Sequence, residues 1–103
     1  MKPRNGKYNA KRTNGYASKH EATIAAKLQA LERGGAIKDL KFQVPFTLLE
    51  GKGKVRPIKY IADFTFIENG RWVVADAKGY RTKEYRLKAK MMYLLLGIEV
   101  EEM

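Results

Sequence analysis

Asn69-Gly70 sits between two strand-forming runs, residues 58–67 and 71–77, and constrains the fold more than any other feature of this chain. Both residues readily take the positive φ angles of a two-residue type I′ hairpin, the turn whose twist matches that of its flanking strands. Such a turn fixes the register. Glu68 then pairs with Arg71, and counting outward brings Asp63 directly opposite Asp76. Opposed residues point to one face with Cβ atoms about 4.5–5.5 Å apart. At about 5 Å and an effective dielectric of roughly 20, two carboxylates repel by on the order of 3 kcal/mol, before any desolvation cost. A hard divalent cation such as Mg²⁺ or Mn²⁺ would offset this, because it takes oxygen ligands and is commonly held by one or two carboxylates with phosphate and water. Lys78 lies two residues beyond Asp76 and so on the same face. Acid pair, cation and lysine together form equipment for phosphodiester hydrolysis. The competing reading is an Asp76/Lys78 surface ion pair with Asp63 bonded to nearby backbone, and a bulge in either strand would send Asp63 to the other face.

Around this hairpin the pattern reads α-β-β-β-α-β. Residues 1–17 mix Lys, Arg, Asn and Gly without a sustained period and are expected to form a basic, flexible arm; residues 18–103 form one domain. From Ser18 a helical period runs through Ala22, Ala25, Leu28 and Leu31 and stops at Gly34-Gly35. Residues 37–49 alternate as a strand through Leu40, Phe42, Val44, Phe46 and Leu48, with Pro45 marking an edge position or a bulge. Residues 50–54 form a flexible turn whose Gly-Lys-Gly-Lys string lacks the spacing of a phosphate-binding P-loop. Thr82 is a candidate N-cap for a second helix that ends at Gly97, with Leu87, Met91, Leu94 and Leu95 on its apolar side, and residues 98–102 form a short last strand. The middle strands are apolar on both faces, Phe64 and Phe66 on one and Ile61, Ile67, Trp72 and Val74 on the other. They need a helix over each face, so the fold class is α/β with a mixed central sheet flanked by helices, and Trp72 is expected in the core.

The chain carries 21 Lys and Arg against 11 Asp and Glu, a net charge of +10 on 103 residues. Lys and Arg on such a surface gain affinity by releasing counterions from a phosphate backbone, so nucleic acid is the natural partner: DNA first, with RNA left open. Residues 1–20 hold six cations and no acid, and residues 78–90 hold six against Glu84, which favours this over an evenly basic surface. The chain has no cysteine, so it contains neither disulfide nor thiolate zinc site, in keeping with a reducing cytoplasm. No apolar run approaches the roughly 20 residues that span a bilayer, and no membrane partner is expected.

The stretches Tyr60-Ile61-Ala62-Asp63-Phe64 and Val73-Val74-Ala75-Asp76-Ala77-Lys78-Gly79 resemble the D…(D/E)-x-K signature of the PD-(D/E)xK nuclease superfamily. Together with residues 18–22, 40–43 and 85–90, they look similar to a phage-encoded family of unknown function within it, of the Holliday-junction-resolvase-like kind. The resemblance covers most of the chain from Ser18 onward and implies a restriction-endonuclease-like αβββαβ core. It implies Asp63 as first metal ligand, Asp76 and the Ala77 carbonyl as further ligands, Lys78 as catalytic lysine and Glu21 as the acid of the first helix. Ala62 replaces the proline of the pattern, and Asp76 stands where Glu is commoner. The expected function is a Mg²⁺- or Mn²⁺-dependent endodeoxyribonuclease acting on branched or structured DNA, in the host cytoplasm if phage-encoded. Coordinated cutting of two strands would take a homodimer. The alternative is a nucleic-acid-binding protein that keeps the fold without cutting.

Other residues hold two readings each. Ser18-Lys19-His20-Glu21 fits a capping box, which competes with a metal role for Glu21. Lys83, Arg86 and Lys90 recur on one stripe of the second helix; with Lys19 and Lys88 they are candidate phosphate contacts or simply a solvated face. Gln43 positions water or DNA, or is a hydrogen-bonded sheet residue, and His20 is expected to be solvated.

Overall fold

The computed structural model describes residues 18–77 and 81–103, so the basic arm and Lys78 lie outside the described residues. Within them the order is α1 (Lys19–Arg33), β1 (Lys38–Leu49), β2 (Ile58–Glu68), β3 (Arg71–Asp76), α2 (Lys83–Leu96) and β4 (Val100–Glu102). The strands form one mixed sheet in the order β1-β2-β3-β4, antiparallel except for the parallel β3–β4 pair. Asn69 at φ 53° and Gly70 at φ 74° make the hairpin, and the ladder runs without a shift from Glu68↔Arg71 to Phe64↔Ala75. Pro45 lies in the edge strand, where its missing N–H breaks no inner ladder.

Each helix covers its own part of the sheet. Ala25 and Leu28 of α1 pack with Phe64, Phe66, Val73 and Ala75, whereas Met92 of α2 packs with Leu48, Tyr60, Ala62 and Val74. Tyr60 and Ala62 lie in the α2 cluster, and Phe64 and Phe66, at the same two-residue spacing, lie in the α1 cluster. The alternation therefore changes phase at Asp63. Strand β1 changes at the same level, with Leu40 and Phe42 against the α1 cluster, Leu48 in the α2 cluster and Phe46 against it. Between them Gln43 takes φ 53°, a left-handed conformation that is costly for a residue with a Cβ.

Several expectations about burial are corrected. Trp72 is 51% exposed because α2 covers only part of its face, and its ring leans on Phe46 with centroids 6.0 Å apart; Ile61, 54% exposed, lies between Tyr60 and Ala62 of the α2 cluster and so falls on the opposite face, beyond the α1 cluster. The inward residue of α2 is Met92, fully buried, while Leu87, Leu94 and Leu95 are exposed. A run of apolar residues at 91–96 gives periodicity too little contrast to choose the buried side. Ala22 and Leu31 are half-buried, and Glu21 is buried instead. The turn after β1 is closed by reciprocal backbone bonds between Lys52 and Val55, both 2.9 Å. No helix among the described residues is long and apolar enough to cross a membrane.

Candidate active site

Three acids are buried: Asp76 completely, Glu21 at 6% exposure and Asp63 at 7%. Burying a carboxylate is costly unless donors surround it, so the donors show what each acid is built for. The Asp63 backbone N–H donates to Asp76 Oδ1 at 2.8 Å, and the Ala77 N–H donates to Asp63 Oδ2 at 3.0 Å. The regular ladder stops at Phe64↔Ala75, and one level beyond it the two side chains bridge the strands. One oxygen of each carboxylate is thus fixed by a backbone amide, which sets its orientation. The hairpin at Asn69-Gly70 makes this possible by holding the register from Arg71 to Ala75, one residue short of Asp76.

Glu21 lies in the first turn of α1, which Ser18 caps: the Glu21 N–H donates to Ser18 Oγ at 3.0 Å. The Glu21 carboxylate accepts a hydrogen bond from Gln43 Nε2 at 3.0 Å. Gln43 in turn faces Asp63 across the sheet, being bracketed by the pairs Phe42↔Phe64 and Val44↔Ala62. Glu21, Gln43, Asp63 and Asp76 therefore follow one another in a row across α1, β1, β2 and β3. The row coincides with the phase change in both strands, which aims side chains of neighbouring levels differently from a regular sheet. No group of three or more His, Asp or Glu side chains converges as a cation cage among the described residues.

The start of α2 borders the site. Thr82 is its N-cap, accepting from the Tyr85 N–H at 3.0 Å, and the Tyr85 hydroxyl donates to Glu102 Oε2 at 3.2 Å. Burial first, then the charges of Asp76 and Glu102, push the Tyr85 phenol above its ordinary value, so it stays a neutral donor. Arg81 pairs with Glu102 at 3.0 Å, and the Met103 N–H donates to the Asp76 carbonyl at 2.8 Å, tying α2 and β4 to the end of β3. Tyr85 and Glu102 were not legible as neighbours of Asp76, because only the parallel β3–β4 pairing brings them there.

Of the candidate phosphate contacts, Lys83, Arg86 and Lys90 are exposed on α2, and Lys88 is partly engaged with Glu84 at 3.3 Å. Lys19 is exposed at the start of α1. His20, expected to be solvated, is exposed but donates from Nε2 to the Met103 carbonyl at 2.9 Å. Ala77, whose carbonyl is a candidate ligand, is buried.

The fold and this row of polar residues define an α/β protein with a mixed four-stranded sheet and a buried acid pair at the inner end of its central hairpin. The chain belongs to the family described as "Protein of unknown function (DUF1064)", which matches residues 5–96. No curated protein and no solved structure matches it.

Proposed function

We propose that this chain is a Mg²⁺- or Mn²⁺-dependent endodeoxyribonuclease of the PD-(D/E)xK type, with a restriction-endonuclease-like core, acting on branched or structured DNA. The observation that carries the reading is the buried, mutually braced pair Asp63 and Asp76 in a chain of charge +10. A protein whose partner is polyanionic has little use for paired buried acids unless a cation joins them. Their donor chemistry fits such a cation: hard oxygen ligands from Asp63, Asp76 and the Ala77 carbonyl, the rest of the shell coming from water and phosphate. When bound, the ion would supply an acidified water and charge stabilisation at the phosphate.

The chain's own residues do the remainder. The amides of Asp63 and Ala77 hold the two carboxylates in place, so no reorganisation is needed when substrate arrives. Lys78 orients the attacking water or neutralises the developing phosphate charge. Glu21 with Gln43 forms the outer edge of the site and is an added ligand or water-positioning pair. Exposed Lys83, Arg86 and Lys90, with Lys19 and Lys88, contact the backbone, which reads shape in preference to sequence. Cutting two strands together would use two copies of the chain, and a cytoplasmic, phage-related setting belongs to the same proposal.

Incubation with linear, flapped and four-way-junction DNA in Mg²⁺, Mn²⁺ or EDTA tests the reading. Metal-dependent cleavage, strongest on the branched substrates, is expected; binding without cleavage in every metal would favour the non-catalytic alternative.

A further inference from the structure

The β1–β2 connection holds a second cationic feature, apart from the acid pair. Residues 51–59 are all exposed, and they include Lys52, Lys54, Arg56 and Lys59 with no acid. Among the described residues none of these four takes part in an ion pair. The segment has a defined shape. Lys52 and Val55 exchange both backbone hydrogen bonds at 2.9 Å, and Gly53 supplies the positive φ of 59° that the turn requires. Gly51 lets the returning chain pass close by: a Cβ there would lie 2.3 Å from the Val55 carbonyl oxygen and 2.8 Å from the Pro57 nitrogen. A glycine-dependent crossing and a closed turn present the cations from a fixed ribbon, in contrast to four lysines and arginines on a floppy loop.

We infer that this hairpin tip is a nucleic-acid backbone grip, built from Lys52, Lys54, Arg56 and Lys59 and separate from the proposed cleavage centre. It rests on the nucleic-acid partner of the proposed function but not on its chemistry. A two-stranded ribbon is narrow enough to enter the major groove, and its single-sign charge suits phosphates flanking that groove. Position along β2 gives the grip a reach. From Asp63 to Ile58 the strand extends about 17 Å, at about 3.3 Å per residue, with the tip beyond. At about 3.4 Å per base pair the tip would meet duplex at least about five base pairs from the scissile phosphate.

The test is binding in EDTA, where cleavage is absent. Fluorescence anisotropy with a labelled four-way junction is measured across a salt series for three proteins: wild type, Lys52→Ala/Lys54→Ala/Arg56→Ala, and Lys27→Ala/Arg33→Ala/Lys38→Ala. The last removes equal charge from exposed positions elsewhere. The tip variant is expected to lower the slope of log affinity against log salt by about 3, near 0.9 per lost phosphate contact. Its binding at moderate salt should fall at least about tenfold, while the control keeps most of the wild-type slope. Gly51→Ala, which keeps every charge but distorts the crossing, should weaken binding as well. Equal losses in tip and control variants, or no loss in the tip variant, overturn the inference even if the protein cleaves DNA. Loss confined to the tip variant upholds it even if no cleavage is found. Failure of wild type to bind DNA overturns it too, and would point to an acidic protein as the tip's partner.

Discussion

Asp63 and Asp76 brace each other's strands through backbone amides, Asp63 N–H to Asp76 Oδ1 at 2.8 Å and Ala77 N–H to Asp63 Oδ2 at 3.0 Å. Structure and proposed chemistry therefore share the same two side chains, and substitutions must separate the two roles. Asp76→Ala leaves the Asp63 amide without that acceptor in a buried site and is expected to destabilise the fold by about 1–3 kcal/mol. Asp76→Asn keeps an acceptor oxygen and is expected to stay within about 1 kcal/mol of wild type. Urea denaturation compares them; an Asn variant as unstable as the Ala variant would show that the brace depends on charge.

Gln43 combines a left-handed backbone with a hydrogen bond to buried Glu21. Gln43→Ala loses the bond but keeps the strain, and should cost about 1.5–3 kcal/mol, as for bonds to charged groups. Gly adopts φ 53° freely, so Gln43→Gly should be more stable than Gln43→Ala, the reverse of the usual order in a strand. Thermal unfolding of the two variants decides this, and Ala at or above Gly would mean that the backbone there is not strained.

The raised value of the Tyr85 phenol, due to burial and then to the charges of Asp76 and Glu102, predicts an alkaline dependence. Its folded value exceeds its unfolded one, so its contribution to stability is fully present below pH about 10 and is lost as pH rises through the folded value. Phenolate absorbance should show a tyrosine titrating above the ordinary phenol value, and Tyr85→Phe should remove that titration. Unchanged titration curves in the variant would contradict the assignment.

Tyr60 is 4% exposed, and its hydroxyl has no hydrogen-bond partner among the described residues. Tyr60→Phe deletes an uncompensated polar group while keeping the ring against Tyr85, at 6.4 Å between centroids. The change should be neutral or stabilising by about 1 kcal/mol. A loss of more than that on calorimetric unfolding would mean that the hydroxyl is satisfied in solution.

The hairpin shows why so much of the centre was legible in sequence. Asn69-Gly70 is a local signal with one geometric solution, and the register it imposes carries outward to Phe64↔Ala75, one level short of the acids. The element order and the caps Ser18 and Thr82 were legible for the same reason, being set by residues close in the chain. The placement of Trp72, Ile61 and Leu94 was not, because exposure depends on where a distant helix lies, and α2 seats Met92 where its Leu-rich end suggested several alternatives. The role of Gln43 was half legible: alternation placed it away from Phe42, but the left-handed φ and the link to Glu21 arise from packing between α1 and β1. The shape of the tip was not legible in sequence, since a Gly-Lys repeat without P-loop spacing has the pattern of a loose turn and the Gly51 crossing depends on the returning chain at residues 55–57.

The central claim is hydrolysis of DNA by a cation held at Asp63 and Asp76. Single-turnover cleavage of a four-way junction in Mn²⁺ by wild type and Asp76→Asn, matched for folding by circular dichroism, tests it most directly. Cleavage by wild type that EDTA abolishes is expected, with a rate at least about 100-fold lower in the variant, the scale of losing one preorganised electrostatic group. Equal rates in the two proteins, or cleavage that persists in EDTA, would contradict the claim.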